Sequence, residues 1–83
     1  MKVKLFCEPG FPSCAAAKAI CRSVGKFTEY DISTEAGKEE ALMHDVDEVP
    51  TIVVTDSYDN EIRSWRGVIP VGAEIKSALD IEL

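Results

Sequence analysis

The sequence predicts an α/β fold in which a four-stranded mixed sheet is flanked by helices, with the element order βαβαββα. Three observations carry that prediction. Polar and apolar residues alternate with a period of two from Lys2 to Cys7 and again from Phe27 to Ile32, on either side of a helical repeat. A β-branched run, Thr51-Ile52-Val53-Val54, follows a proline. A turn cluster from Asp56 to Asn60 then joins that run to a further alternating stretch, Glu61 to Trp65. A chain of 83 residues buries roughly 60–65% of its unfolded surface, enough for one modest core. One domain spanning residues 1–83 is expected.

Along the chain, the first strand places Val3, Leu5 and Cys7 on one side and Phe6 on the other, and Glu8-Pro9-Gly10 ends it. Pro12 suits the first turn of a helix, where its missing N–H costs nothing. Ala17, Ile20, Cys21 and Val24 then recur at helical spacing until Gly25 stops the pattern. The second alternating stretch puts Tyr30 and Ile32 on one face, completing a βαβ unit whose strands should be parallel and its crossover right-handed. Either Ser33 or Thr34 can cap a second helix running to about His44, with Glu35 near the positive end of its dipole. Its apolar stripe is Ala36, Leu42, Met43 and Val46, and Gly37 weakens it by about 1 kcal/mol relative to alanine. The nearly continuous apolar pattern of the third strand is that of a central strand covered on both faces. A β-hairpin follows, and Val71, Ile75 and Leu79 behind Pro70 give a closing helix.

Composition excludes several classes. With 46% apolar and 29% charged residues the chain is too apolar for disorder. A net charge of -6 argues against nucleic acid or an anionic membrane as partner, because both are bound by clustered Lys and Arg. The stretch Met1 to Phe6 lacks the ~7–15-residue apolar run of a secretion signal. No segment is long enough to span a bilayer. The cytoplasm is therefore the expected location, and there the three cysteines are not expected to form a structural disulfide framework. No Cys/His spacing reads as a metal site, and no phosphate loop or serine-nucleophile motif is present. Neither a metal nor a cofactor is expected.

Cysteine chemistry is the remaining signal. Cys14 lies just inside the first helix, three residues beyond the helix start where unpaired N–H groups and the dipole would favour a thiolate, a position held by Phe11. It is equally open to reading as a small buried apolar residue. Cys21 falls on the apolar stripe of the same helix. Seven residues at 1.5 Å rise separate it from Cys14 by roughly 10 Å, beyond the ~7 Å Cα limit of a disulfide. Cys7 is different, because the loop after it turns back toward the helix start, so geometry decides whether it meets Cys14. His44, the one histidine, suits contact with the negative end of the second helix.

The segment Leu5 to Cys14, and within it Phe11-Pro12-Ser13-Cys14, resembles the strand, loop and Cys-Pro-x-Cys helix opening of the glutaredoxins. Val49-Pro50-Thr51 resembles the cis-proline segment that precedes their third strand. Ser64 to Pro70, with Trp65-Arg66-Gly67, is similar to the Trp-x-Gly-x-x-Pro segment of glutaredoxin-like redoxins that serve ribonucleotide reductase. The resemblance implies the thioredoxin fold in its minimal glutaredoxin form and thiol–disulfide exchange. It also implies catalytic Cys14, with Cys7 as the other candidate thiol, and a substrate groove formed by Phe11, Pro12, Val49, Pro50 and Thr51. Lys18, one turn beyond Cys14, matches a lysine often found there. The departure is at Phe11, which stands where the family has its first, attacking cysteine and which has no ionisable group. Reduced or altered activity is therefore expected.

The expected partners are a protein disulfide and thioredoxin reductase acting on a monomer. Glutathione is not expected, because the Gly-Gly and acidic residue that hold it in the family are missing. The rival reading is a non-enzymatic binding module that keeps the groove around Pro50 and uses Phe11 as an apolar contact. Exposure separates the two readings. A buried Cys14 under an exposed Phe11 favours binding, and an accessible Cys7 or Cys14 favours redox chemistry.

Overall fold

The computed structural model describes residues 1–80; residues 81–83 of the expected domain lie outside the described part. The alternating residues at the start become a central strand, β1 (Lys2–Cys7). It pairs in parallel with β2 (Thr28–Asp31) and antiparallel with β3 (Thr51–Thr55). β3 in turn pairs antiparallel with β4 (Glu61–Arg66), so the sheet order is β2-β1-β3-β4. Helices α1 (Pro12–Val24), α2 (Glu35–Met43) and α3 (Gly72–Leu79) complete the order that the sequence pattern predicts.

The period of two in β1 assigns its residues to two cores. Val3, Leu5 and Cys7 join Ile52 and Val54 of β3 on the face that packs against Cys14, Ala17 and Cys21 of α1 and Ile75 and Ala78 of α3. Phe6 and Val53 point the other way, toward Ala41 of α2 and Val46, with Tyr30 and Ile32 half-buried beside them. Phe6 stacks on Tyr30 with ring centroids 5.3 Å apart. All five residues of β3 are buried, as a strand covered on both faces requires. The strand predicted over 27–32 is shorter in the structure. Its pairing stops at Asp31, and Ile32 instead donates its N–H to the Cys7 carbonyl at 2.9 Å.

Thr34, rather than Ser33, caps α2: its Oγ1 accepts from the Gly37 N–H at 3.0 Å, while the Ser33 hydroxyl donates to Asp31. The stripe predicted for this helix is corrected. Ala36, Leu42 and Met43 are exposed, and the helix instead buries Gly37 and Ala41. Gly37 is the point of closest approach between α2 and the end of β2, since a Cβ placed there would lie 1.8 Å from the Asp31 carbonyl oxygen. The residue that weakens the helix by propensity is thus the one that lets it dock.

Lys4 shares the Phe6 face of β1 and is only 3% exposed. Its ammonium donates to Glu40 of α2, to Asp59 in the β3–β4 turn at 2.5 Å, and to His44 Nε2 at 3.0 Å. An ammonium only donates, so in that contact His44 Nε2 is the acceptor. Burial alone would lower the Lys4 pKa, but the bonds to Asp59 and Glu40 outweigh it and the net direction is upward. Asp59 reaches Lys4 from a left-handed backbone conformation (φ 68°), which aspartate tolerates better than most residues. Asp56 holds the turn by accepting from the N–H groups of Tyr58 and Asn60.

In an open helix Gly37→Ala would gain about 1 kcal/mol. Here the clash with rigid backbone should reverse the sign and destabilise the chain by roughly 2–3 kcal/mol. Urea unfolding of the variant measures this directly. A neutral or stabilised variant would mean that α2 does not dock through Gly37.

Candidate functional site

The site begins where β1 ends. Cys7 is its last residue and faces the α1 side of the sheet. The loop then folds back through Gly10, whose φ of 91° suits a residue without a Cβ, and the Phe11 N–H reaches the Glu8 carbonyl at 3.4 Å. Phe11 becomes the N-cap of α1, with no side-chain bond to the helix, and Pro12 opens its first turn. The Cys14 N–H donates to the Phe11 carbonyl at 3.0 Å, leaving the Cys14 thiol in the first turn of the helix and turned toward the sheet.

This return brings Cys7 and Cys14 together. Both side chains belong to the core between the sheet and α1, and both line an open cleft of about 270 Å³ that also takes in Phe11, Glu8, Lys18 and Asp31. Burial pushes the Cys7 thiol well above the ordinary cysteine range. The neighbouring Cys14 and the charge of Glu29 push it further, while Lys18 acts in the opposite sense. Cys7 therefore holds its proton at neutral pH. Lys18 is itself paired with Glu29 at 3.0 Å. Cys21, fully inside the core, is pushed up to about 11 by burial first and Glu29 second. Since α1 is regular from Pro12 to Val24, Cys21 stands about 10 Å along the helix from Cys14 and out of disulfide reach. All three cysteines are free thiols.

The other sequence-selected residues fall around this pair unevenly. Phe11 is 46% exposed and Pro12 is exposed, whereas Pro50 and Thr51 are buried and Val49 is half-buried. The Val49–Pro50 peptide is cis. The β1–β3 pairing ends at Phe6 opposite Thr51, so one further step puts Pro50 across from Cys7. Thr51 Oγ1 donates to the Glu48 carbonyl at 2.7 Å, and the Pro50 carbonyl accepts from Gly67 N–H at 2.9 Å. Trp65-Arg66-Gly67 is committed to the fold. Trp65 is in the core with its indole N–H on Glu74 at 3.2 Å, and Arg66 clamps the carbonyls of His44 and Asp45. Gly67 has φ 71°, and a Cβ there would lie 2.8 Å from the Glu48 carboxylate.

Glu40, His44 and Asp59 form a group that sequence spacing does not reveal, with ligand-type atoms all within 4.8 Å of one another. The Lys4 ammonium already stands among them, so the group balances an internal cation. His44 takes part in that balance as well as in ending α2.

A glutaredoxin family model matches residues 3–58, about two thirds of the chain, taking in Cys7, Phe11 to Cys14 and Val49 to Thr51. The chain belongs to the glutaredoxin family. Its redox-protein class follows from that membership. The Trp65 segment lies beyond the matched residues. Among solved structures, thioredoxin 1 from the thermophilic eubacterium Thermosipho africanus TCF52B is similar at a TM-score of 0.76 and 17% identity, over 99% of this chain and 93% of that one. That likeness shows the thioredoxin fold. No curated protein sequence matches the chain. No helix of the described residues is long and apolar enough to cross a membrane. At the start of α1, Phe11 presents an apolar ring, and Cys7 from the sheet shares the cleft with Cys14.

The raised thiol pKa values set a pH dependence. On unfolding, Cys7 and Cys21 return to the ordinary range near 8.5–9, so above about pH 8.5 the unfolded chain binds fewer protons than the folded one. Stability should then fall as pH rises, by the sign of the proton-linkage relation. Urea midpoints between about pH 7.5 and 10 should decline under reducing conditions, and Cys21→Ala should lessen the slope. A midpoint that stays flat across this range would mean that the thiols are not held protonated by the fold.

Proposed function

We propose that this chain is a thiol–disulfide redoxin that works through a Cys14–Cys7 pair instead of a Cys-x-x-Cys pair, at a reduced rate. The observation that carries this reading is that two thiols line one cleft at the start of α1. Cys14 has the helix N-terminus to favour its thiolate, and Cys7 has the proton. In the exchange, the Cys14 thiolate attacks one sulfur of a substrate disulfide and forms a mixed disulfide, and the departing thiolate takes up a proton. Cys7 then loses its proton, attacks the Cys14 sulfur and releases the second substrate thiol. Two electrons pass to the substrate, and the protein is left with a Cys7–Cys14 disulfide. Pairing by this route is slow, because both thiols are buried at 5% and 9% exposure.

Exposure alone favours the second reading. Phe11 stands out at 46% exposed above a Cys14 at 9%, the arrangement expected of a binding module with an apolar contact at the groove mouth. The exchange reading is preferred because burial does not explain why two thiols share the cleft. Protein disulfides are the proposed substrates, with thioredoxin reductase as electron source on the strength of the Trp65-Arg66-Gly67 resemblance. The reducing cytoplasm suits three free thiols.

The native chain should reduce insulin disulfides at least about tenfold more slowly than a dithiol redoxin at equal concentration. Cys14→Ser should abolish the activity, while Cys7→Ser should leave a trapped mixed disulfide at Cys14. Activity that survives Cys14→Ser would mean that Cys14 is not the attacking thiol, and no activity in the native chain supports binding in place of exchange.

Phe11→Cys writes Cys-Pro-Ser-Cys at the helix start and should restore an attacking thiolate. Insulin reduction should rise about tenfold or more, with a two-electron potential of about -270 to -200 mV. A folded variant whose new thiol never pairs with Cys14 under oxidising conditions would show that position 11 does not correspond to the family's first cysteine.

A further inference from the structure

The walls of the thiol cleft are acidic. Glu8, Glu29 and Asp31 line it together with a single cation, Lys18, and that cation is paired with Glu29 at 3.0 Å. Three carboxylates against one ammonium leave the cleft with two net negative charges before any thiol ionises. Asp31 stays ionised, because the Ser33 hydroxyl and N–H both donate to its carboxylate. The chain as a whole, at a net charge of -6, adds to the same field.

This surrounding opposes the chemistry proposed for it. Attack on a disulfide needs a thiolate at Cys14, and the displaced sulfur also carries negative charge as it leaves. Both charges develop beside carboxylates, with Lys18 already committed to Glu29. Reactive cysteines ordinarily sit in electropositive surroundings. Beyond the partial charge of the helix N-terminus, the compensating positive charge has to come from elsewhere.

We propose that the substrate brings it: the cleft selects cationic disulfides, in the natural case a polypeptide half-cystine flanked by Lys or Arg, and disfavours anionic ones. A cation seated against Glu8 and Asp31 offsets the acidic walls and stabilises the Cys14 thiolate at the moment of attack. Selection thus acts on encounter and on the chemical step together. Phe11 at the mouth supplies an apolar surface on which the stem of a Lys or Arg side chain can lie, leaving the charged head in the cleft. This inference rests on the exchange reading above and names its substrate class.

Three small disulfides of similar size test it: cystamine (a dication), hydroxyethyl disulfide (neutral) and dithiodipropionate (a dianion). The rate at which each oxidises the reduced native chain is divided by its rate with free dithiothreitol, which removes differences in intrinsic reactivity. At low ionic strength the normalised rate should be about tenfold higher for cystamine than for the dianion, with the neutral disulfide between them. Raising salt to about 0.5 M should shrink the ratio toward one. The Glu8→Gln, Glu29→Gln double variant should narrow it to about twofold by freeing Lys18 and removing two walls. Reaction with the neutral disulfide but equal normalised rates for the charged pair would overturn the selectivity and leave the exchange reading intact. No reaction with the neutral disulfide would remove the exchange reading, and the selectivity with it.

Discussion

Because successive side chains of a strand point to opposite faces, the six residues of β1 divide two tasks between the two sides of one sheet. On one side Val3 and Leu5 build the core under α1 and α3, and Cys7 carries that face to the strand's end, where it meets Cys14. On the other side Phe6 packs under α2, and Lys4 gathers Glu40, His44 and Asp59 from a helix, its end and a hairpin turn. A slip of one residue in β1 would exchange the two sets, burying Lys4 against the thiols and turning Cys7 away from Cys14. Register in this strand therefore fixes both the second thiol and the tie that holds α2 and the hairpin. The pairing of β1 on both edges, with β2 and with β3, is what holds that register.

The chemistry follows from what the helix start supplies and what it lacks. An N-terminal turn favours a thiolate, but the residue at its N-cap is Phe11, which can neither ionise nor attack. In the exchange we propose, the attacking thiol is the one three residues further in, Cys14, and the resolving partner, Cys7, comes from the strand. The nucleophile of that proposal is recessed, at 9% exposure. Access then becomes the limiting feature of the site, and the charges lining the approach gain weight in deciding which disulfides reach it.

Elements whose residues report their own neighbours were legible in the sequence. The alternation of β1, the stripe Ala17, Ile20, Cys21 and Val24 at helical spacing in α1, and the β-branched run of β3 each marked an element and the face or faces it buries. The face of α2 was not legible. Nine residues hold too few turns for periodicity to average, and its closest contact is through Gly37, which has no side chain to signal burial. Lys4 looked like an ordinary polar member of an alternating strand, because its partners are 36, 40 and 55 residues away. At the site, Cys14 and Phe11 were marked by their place in the helix opening. The pairing of Cys7 with Cys14 depends on a loop that reverses at Gly10, and spacing along the chain does not encode that reversal.

The central claim is that Cys7 and Cys14 are one redox couple. Equilibrating the native chain across a series of dithiothreitol buffers, quenching with acid, alkylating the free thiols and mapping the peptides by mass spectrometry tests it most directly. The account predicts a single transition in which two hydrogens are lost, Cys7 and Cys14 disappear together from the alkylated pool as one linked peptide, and Cys21 remains alkylated throughout. A Cys14 that stays alkylatable under the most oxidising buffer, or that links to Cys21, would contradict it.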